Sequence, residues 1–111
     1  MLMVTPSNRR ISARKVLRGP ATVLLPGGTE RVVRTWDIGV DGLSLVSPKP
    51  IPPGTRCTVS LELPGGDVAR TLRLPVKTIY CSLMGSEGVK VGAVFVALDA
   101  DTERLVQQFV G

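Results

Sequence analysis

The sequence predicts an all-β domain: a six-stranded antiparallel barrel with one helix at its C-terminal end. Three observations carry this. Apolar and polar residues alternate in short stretches, the period of strands that bury one face. Glycine and proline, 12 and 9 of the 111 residues, fall between those stretches as turns. The connections are too short for the crossover helices that parallel strands require.

Residues 1–8 carry no pattern and read as a tail, ahead of one domain over residues 9–111. Within it, residues 9–18 form a basic arm, 20–98 the barrel and 100–110 the helix. Ala21 to Leu25 is a short apolar strand ended by Pro26-Gly27-Gly28. Arg31 to Ile38 alternates imperfectly. Gly42 to Ser47 and Arg56 to Leu63 alternate well, with Cys57, Val59, Leu61 and Leu63 on one face. Pro64-Gly65-Gly66-Asp67 is a hairpin signal. Val68 to Cys81 is a long strand with Leu72, Leu74, Val76, Thr78 and Tyr80 on one side, and Pro75 predicts an edge or bulge there. Met84 to Gly88 is a turn, and Val89 to Leu98 is the last strand. From Asp99 to Val110 the spacing of Leu105, Val106 and Phe109 turns helical, with Asp101 or Thr102 as the cap.

Composition narrows function. At 43% hydrophobic the chain is globular rather than disordered. No apolar run approaches the ~18 residues of a membrane helix, and no export signal opens the chain. A cytoplasmic protein without membrane insertion is expected. There is no histidine. Cys57 and Cys81 stand alone in apolar stretches and are expected as buried free thiols, not metal ligands. Without the usual general base or a paired nucleophile, binding is expected rather than catalysis. Nucleotide loops of the GxGxxG and GxxxxGK[ST] types are missing. The net charge of +5 is unevenly placed: no acid precedes Glu30, whereas Arg9, Arg10, Arg14, Lys15 and Arg18 crowd the start. Such an arm on a nearly neutral body suits an anionic partner.

Two segments give that partner a shape. Arg10 and Arg14 form RxxxR, with Arg9 directly before. Asp37-Ile38-Gly39-Val40-Asp41-Gly42 lies between two strands and reads DxGxxG. In this order and at this spacing the segments resemble the PilZ family, which carries RxxxR ahead of the first barrel strand and [D/N]xSxxG between the second and third. Gly92 to Leu98 and the terminal helix are similar to the family's closing elements. The resemblance therefore runs from Asn8 to the end and implies a PilZ-type barrel in a stand-alone, single-domain member.

The resemblance also implies a ligand, cyclic di-GMP, in one or two molecules, with no other cofactor. Its binding residues would be Arg9, Arg10, Arg14, Asp37, Gly39 and Gly42. The chemistry suits these residue types. Guanidinium groups match phosphate oxygens and the O6/N7 edge of guanine. Asp37 can accept from the guanine N1–H and N2–H₂ groups, which no arginine can do. Gly39 and Gly42 let the backbone come close, and Gly42 is expected in a conformation closed to other residues. Gly39 stands where the family usually has serine. Its loss of a hydroxyl bond to a charged group, worth ~1.5–3 kcal/mol, weakens affinity about tenfold or more. The ligand would order a loose arm and change contacts with a downstream protein partner that nothing in the sequence identifies. Such families regulate motility, adhesion and biofilm formation. Two other readings remain: a PilZ-fold interaction module that does not bind the nucleotide, favoured by Gly39, and a single-stranded nucleic-acid barrel. The second fits poorly, because four aromatic residues are few for base stacking, so no DNA or RNA is expected.

Overall fold

The structure, a computed structural model, describes residues 13–65 and 69–111. Seven strands form one antiparallel sheet: β1 (Arg14–Val16), β2 (Pro20–Leu24), β3 (Glu30–Gly39), β4 (Gly42–Ser47), β5 (Arg56–Leu63), β6 (Arg70–Leu83) and β7 (Val89–Phe95). A single 3₁₀ turn, Gly85–Glu87, joins β6 to β7, and α1 (Ala100–Val110) ends the chain. The sheet order is β1-β3-β2-β5-β6-β7-β4, and β3 also pairs with β4. That last pairing closes β2 to β7 into the expected six-stranded barrel. β1 is an addition, laid on the outside edge of β3.

Period-two alternation explains the core. Along β5, Cys57, Val59, Leu61 and Leu63 point inward and are buried, while Arg56 and Glu62 face solvent. Ile38, Leu43, Leu74 and Val91 meet them from the other strands, each at 2% exposure or less. The helix lays Val106 against this core, with Leu105 and Phe109 half-buried beside it. Removing such side chains from water is the main favourable contribution to the fold.

Several expectations are corrected. The irregularity in β6 falls at Ile79, between Thr78 and Tyr80, not at Pro75. Pro75 sits in register opposite Thr58, and its carbonyl accepts from Val96 N–H at 2.9 Å, just past the end of β7. Its missing N–H therefore deprives no ladder. The bulge at Ile79 flips the phase, so Tyr80 lies outside while Cys81 joins the half-buried side. The last strand stops at Phe95 rather than Leu98, because Ala97 turns the chain at φ +55°. Asp99, not Asp101 or Thr102, caps the helix: its carboxylate accepts from Thr102 N–H at 2.8 Å. That bond holds the Asp99 carboxyl below the usual carboxylate range. Both cysteines are free; Cys57 is buried, which pushes its thiol up, and Cys81 is half-buried.

Candidate functional site

The basic arm and the glycine turn, 23 positions apart from Arg14 to Asp37, meet at one end of β3. β1 pairs antiparallel with that end in the register Arg14 opposite Gly39, Lys15 opposite Ile38 and Val16 opposite Asp37. Two further contacts hold the arm. Leu17 is buried and donates its N–H to the Trp36 carbonyl at 3.2 Å. Lys15 Nζ donates to the Phe109 carbonyl at 3.1 Å and sits 4.5 Å from the Phe109 ring centre, a cation at the C-terminal end of α1. The arm was expected to be loose; over Arg14–Val16 it is instead a paired strand.

Arg14 turns its guanidinium across Gly39 toward the turn. Nη1 donates to the Gly42 carbonyl at 2.8 Å, Nε lies 3.9 Å from Asp37 Oδ1, and Nη1 lies 4.0 Å from Asp41 Oδ1. Asp37 Oδ1 is buried and, among the described residues, accepts no hydrogen bond. A desolvated carboxylate oxygen without a donor is costly, and it marks a place where a donor is wanted.

The glycines make this approach possible. A Cβ on Gly39 would lie 2.8 Å from Arg14 Cδ and 3.1 Å from the Ala13 carbonyl oxygen. A Cβ on Gly42 would fall on the Ala93 carbonyl oxygen of β7. Gly42 is thus required by close packing of β4 on β7. It does not have the positive φ expected of it; the glycines that do are elsewhere, such as Gly27 and Gly28 in the β2–β3 turn.

Of the predicted residues, Arg14, Asp37, Gly39 and Gly42 are brought together. Arg9 and Arg10 lie outside the described residues. Asp41, which was not among the predicted site residues, joins them through its approach to Arg14; its position four residues after Asp37 was the available signal. No cluster of metal-binding side chains occurs among the described residues. Trp36 packs under the arm: the Arg18 guanidinium lies 3.7 Å from its ring and the Lys90 ammonium 5.5 Å. Beside it a cleft of about 660 Å³ is lined by Arg18, Val32, Arg34, Trp36 and Val46 among others. The remaining cations separate by role. Arg31 Nη1 is tied to Ser47 Oγ and to the Lys49 and Pro50 carbonyls. Lys77 is exposed two strands from Gly42, in the row Gly42–Val94–Lys77. Arg73 faces Ser60 of β5, away from the turn.

The model of the PilZ domain family matches residues 8–111. The chain belongs to the PilZ domain family. Among curated proteins none matches it. Among solved structures this PilZ domain is similar to the Bacillus subtilis inhibitor of motility MotI/DgrA, with a TM-score of 0.80 at 15% identity. That likeness covers 92% of this chain but 49% of the other, so the chain spans about half of that relative's length. It is similar to the PilZ domain of Escherichia coli YcgR, solved with c-di-GMP: TM-score 0.72, 16% identity, 92% of this chain and 88% of that one. The PilZ domain of CeSA from a cellulose-synthesizing bacterium follows at 0.64 and 20%, covering 89% and 95%. At such identities the likeness is one of fold. Among the described residues no helix is long and apolar enough to cross a membrane.

Proposed function

We propose that this PilZ domain is a receptor for cyclic di-GMP, acting in the cytoplasm without catalysing a reaction. Arg14 and Arg10, assisted by Arg9, take the phosphates and the O6/N7 edge of a guanine. Asp37 accepts from a guanine N1–H and N2–H₂ edge, and the backbone at Gly39 and Gly42 lets the ligand come close. Binding draws Arg14 away from Asp37, Asp41 and the Gly42 carbonyl, and the rearranged arm changes the contacts this protein makes with a downstream partner.

The observation that supports the reading is the meeting of Arg14 and Asp37 at 3.9 Å, with an Asp37 oxygen that accepts no hydrogen bond among the described residues. A cation and a base-reading carboxylate stand side by side, each with capacity left over. The c-di-GMP complex of the similar YcgR domain adds support from outside the chain.

Calorimetric titration with cyclic di-GMP tests it, with GTP and cyclic GMP as controls. Expected is a dissociation constant near or below ~1 μM, about −8 kcal/mol, lost in Arg10→Ala, Arg14→Ala and Asp37→Ala. Absence of heat and of any thermal shift at ~100 μM ligand would overturn the receptor reading and leave a PilZ module that works without the nucleotide.

A further inference from the structure

Both register shifts of the sheet among the described residues lead to the same row on the outer face of the barrel. In β3 the shift at Trp36 follows Thr35, which is buried, and turns Asp37 outward from the inward phase that Thr35 would impose on it. In β6 the shift at Ile79 does the same for Tyr80 after the buried Thr78. An extra residue in a strand re-aims the side chain beside it, and such bulges are over-represented next to active sites. Asp37 then stands opposite Ser44, Ser44 opposite Gly92 and Gly92 opposite Tyr80, one row across four strands. The two middle positions are small. A Cβ on Gly92 would fall on the Tyr80 ring, so the ring lies back over β7, toward the Asp37 end of the row. Tyr80 is still 39% exposed. Neighbouring strands lie ~4.8 Å apart, which puts the strand of Asp37 about 10 Å from that of Gly92, the reach of one hydrogen bond and one purine. Cations flank the row on both sides. Lys90 precedes Gly92 by two residues, with Nζ 5.5 Å from the Trp36 ring, and Lys77 stands opposite Val94, two residues after Gly92.

We propose that Tyr80 is the stacking platform for the guanine whose N1–H and N2–H₂ edge Asp37 accepts, and that Gly92 is the positioning residue that lets the ring lie there. This inference rests on the receptor reading and deepens it. The carboxylate selects the edge of the base, and the ring takes its face. The lysines on either side suit the phosphates that leave the row with the base. Laying a ring over a glycine also supports a sheet. That role needs no ligand, and the two separate by experiment.

The chain has one tyrosine, so ring-labelled protein gives a single set of tyrosine ring signals in a magnetic-resonance titration with cyclic di-GMP. Expected is an upfield movement of those signals, the mark of a base stacked on the ring. In calorimetry Tyr80→Phe, which keeps the ring, is expected to bind within about 3-fold of the parent, and Tyr80→Leu to bind ~10-fold or more weakly. Gly92→Ala, which displaces the ring, is expected to weaken binding as Tyr80→Leu does. Thermal melting of each variant separates lost binding from lost fold, and the ring signals of the parent decide the matter without any variant. A parent that binds while its tyrosine signals stay in place would overturn the platform and leave the receptor reading standing. So would a folded Tyr80→Leu chain that binds as tightly as the parent, which would make Tyr80 a cover for Gly92 alone. A parent that does not bind cyclic di-GMP overturns both.

Discussion

Replacing Gly42 with alanine is expected to open the barrel at the seam between β4 and β7. The new Cβ would fall on the Ala93 carbonyl oxygen and come within 3.0 Å of Val94 Cα. Both are backbone atoms, so no flexible side chain can yield. Relief requires the strands to part, and the bond from Phe95 N–H to the Asp41 carbonyl, 3.0 Å long, lies at that point. Overpacking costs ~1–3 kcal/mol and the weakened hydrogen bond about 1 kcal/mol more. Alanine's smaller unfolded-state entropy returns at most ~1 kcal/mol, leaving a loss of ~1–3 kcal/mol. At ~4–8 °C per kcal/mol for a domain near this size, the melting midpoint falls by ~4–24 °C. Gly39→Ala is the internal control. Its Cβ meets Arg14 Cδ at 2.8 Å and the Ala13 carbonyl at 3.1 Å, on the outlying strand and the residue just before it, which can shift. Its cost is expected to stay below ~1 kcal/mol. Urea unfolding at constant slope measures both. Equal losses for the two glycines, or a Gly42→Ala protein within ~1 kcal/mol of the parent, would refute the assignment of one to the barrel seam and the other to the arm.

Three further outcomes follow from single contacts. Asp37→Asn is expected to leave unfolding free energy unchanged or raised by up to ~1 kcal/mol, because it replaces a negative charge whose buried oxygen accepts no hydrogen bond among the described residues with a neutral amide that is less costly to desolvate, yet to abolish cyclic di-GMP binding; a destabilised variant would show that the weak Arg14 contact outweighs desolvation. Thr78→Val is expected to cost ~1–3 kcal/mol, since Thr78 Oγ1 donates to the Pro52 carbonyl at 2.7 Å and accepts from Thr55 N–H at 2.9 Å; faster amide exchange at Thr55 is the local readout. Because the Asp99 carboxyl is lowered by its bond to Thr102, its capping contribution is full above the unfolded value and is lost as pH falls through the lower folded value. Helical circular dichroism should therefore decline below about pH 4 in the parent, and an Asp99→Asn chain, which caps without titrating, should lack that component.

How much of this was legible in the sequence depends on how local the cause is. β4 and β5 begin and end where alternation predicts, because burial on one face acts residue by residue. The helix bounds were legible for the same reason, but its cap was not: Asp99, Asp101 and Thr102 are all suitable residues, and the choice rests on which extended backbone precedes the first turn. Both register shifts escaped. The one at Trp36 and the one at Ile79 are set by how β3 and β6 fit their neighbours, and neither position has glycine or proline to announce it. β1 was invisible as a strand because Arg14-Lys15-Val16 is short and has no alternation; its pairing comes from β3 offering an edge. In the site, motif spacing found Arg14, Asp37, Gly39 and Gly42. It could not show that Gly42 answers to the Ala93 carbonyl, a residue 51 positions away.

The same geometry changes the meaning of Gly39. From sequence its effect is a missing hydroxyl and a weaker ligand contact. In the structure it is also the floor over which Arg14 folds. Besides its 2.8 Å hydrogen bond to the Gly42 carbonyl, Arg14 rests against two weak ion-pair partners at 3.9 and 4.0 Å, with its side chain 40% exposed and Asp41 at 61%. Pairs of that kind contribute ~0–1 kcal/mol each, so a doubly anionic ligand can displace them. A serine at position 39 would crowd Arg14 Cδ and push the guanidinium out of this resting place. Under the proposed receptor function Gly39→Ser therefore acts twice in one direction, removing a competitor for Arg14 and supplying a hydroxyl. Expected is cyclic di-GMP affinity tightened by ~10-fold or more, with the gain halved on a logarithmic scale in Asp41→Asn, where part of the competition is already gone. Equal gains in both backgrounds would mean that the hydroxyl alone is responsible and that the resting position of Arg14 has no bearing on binding.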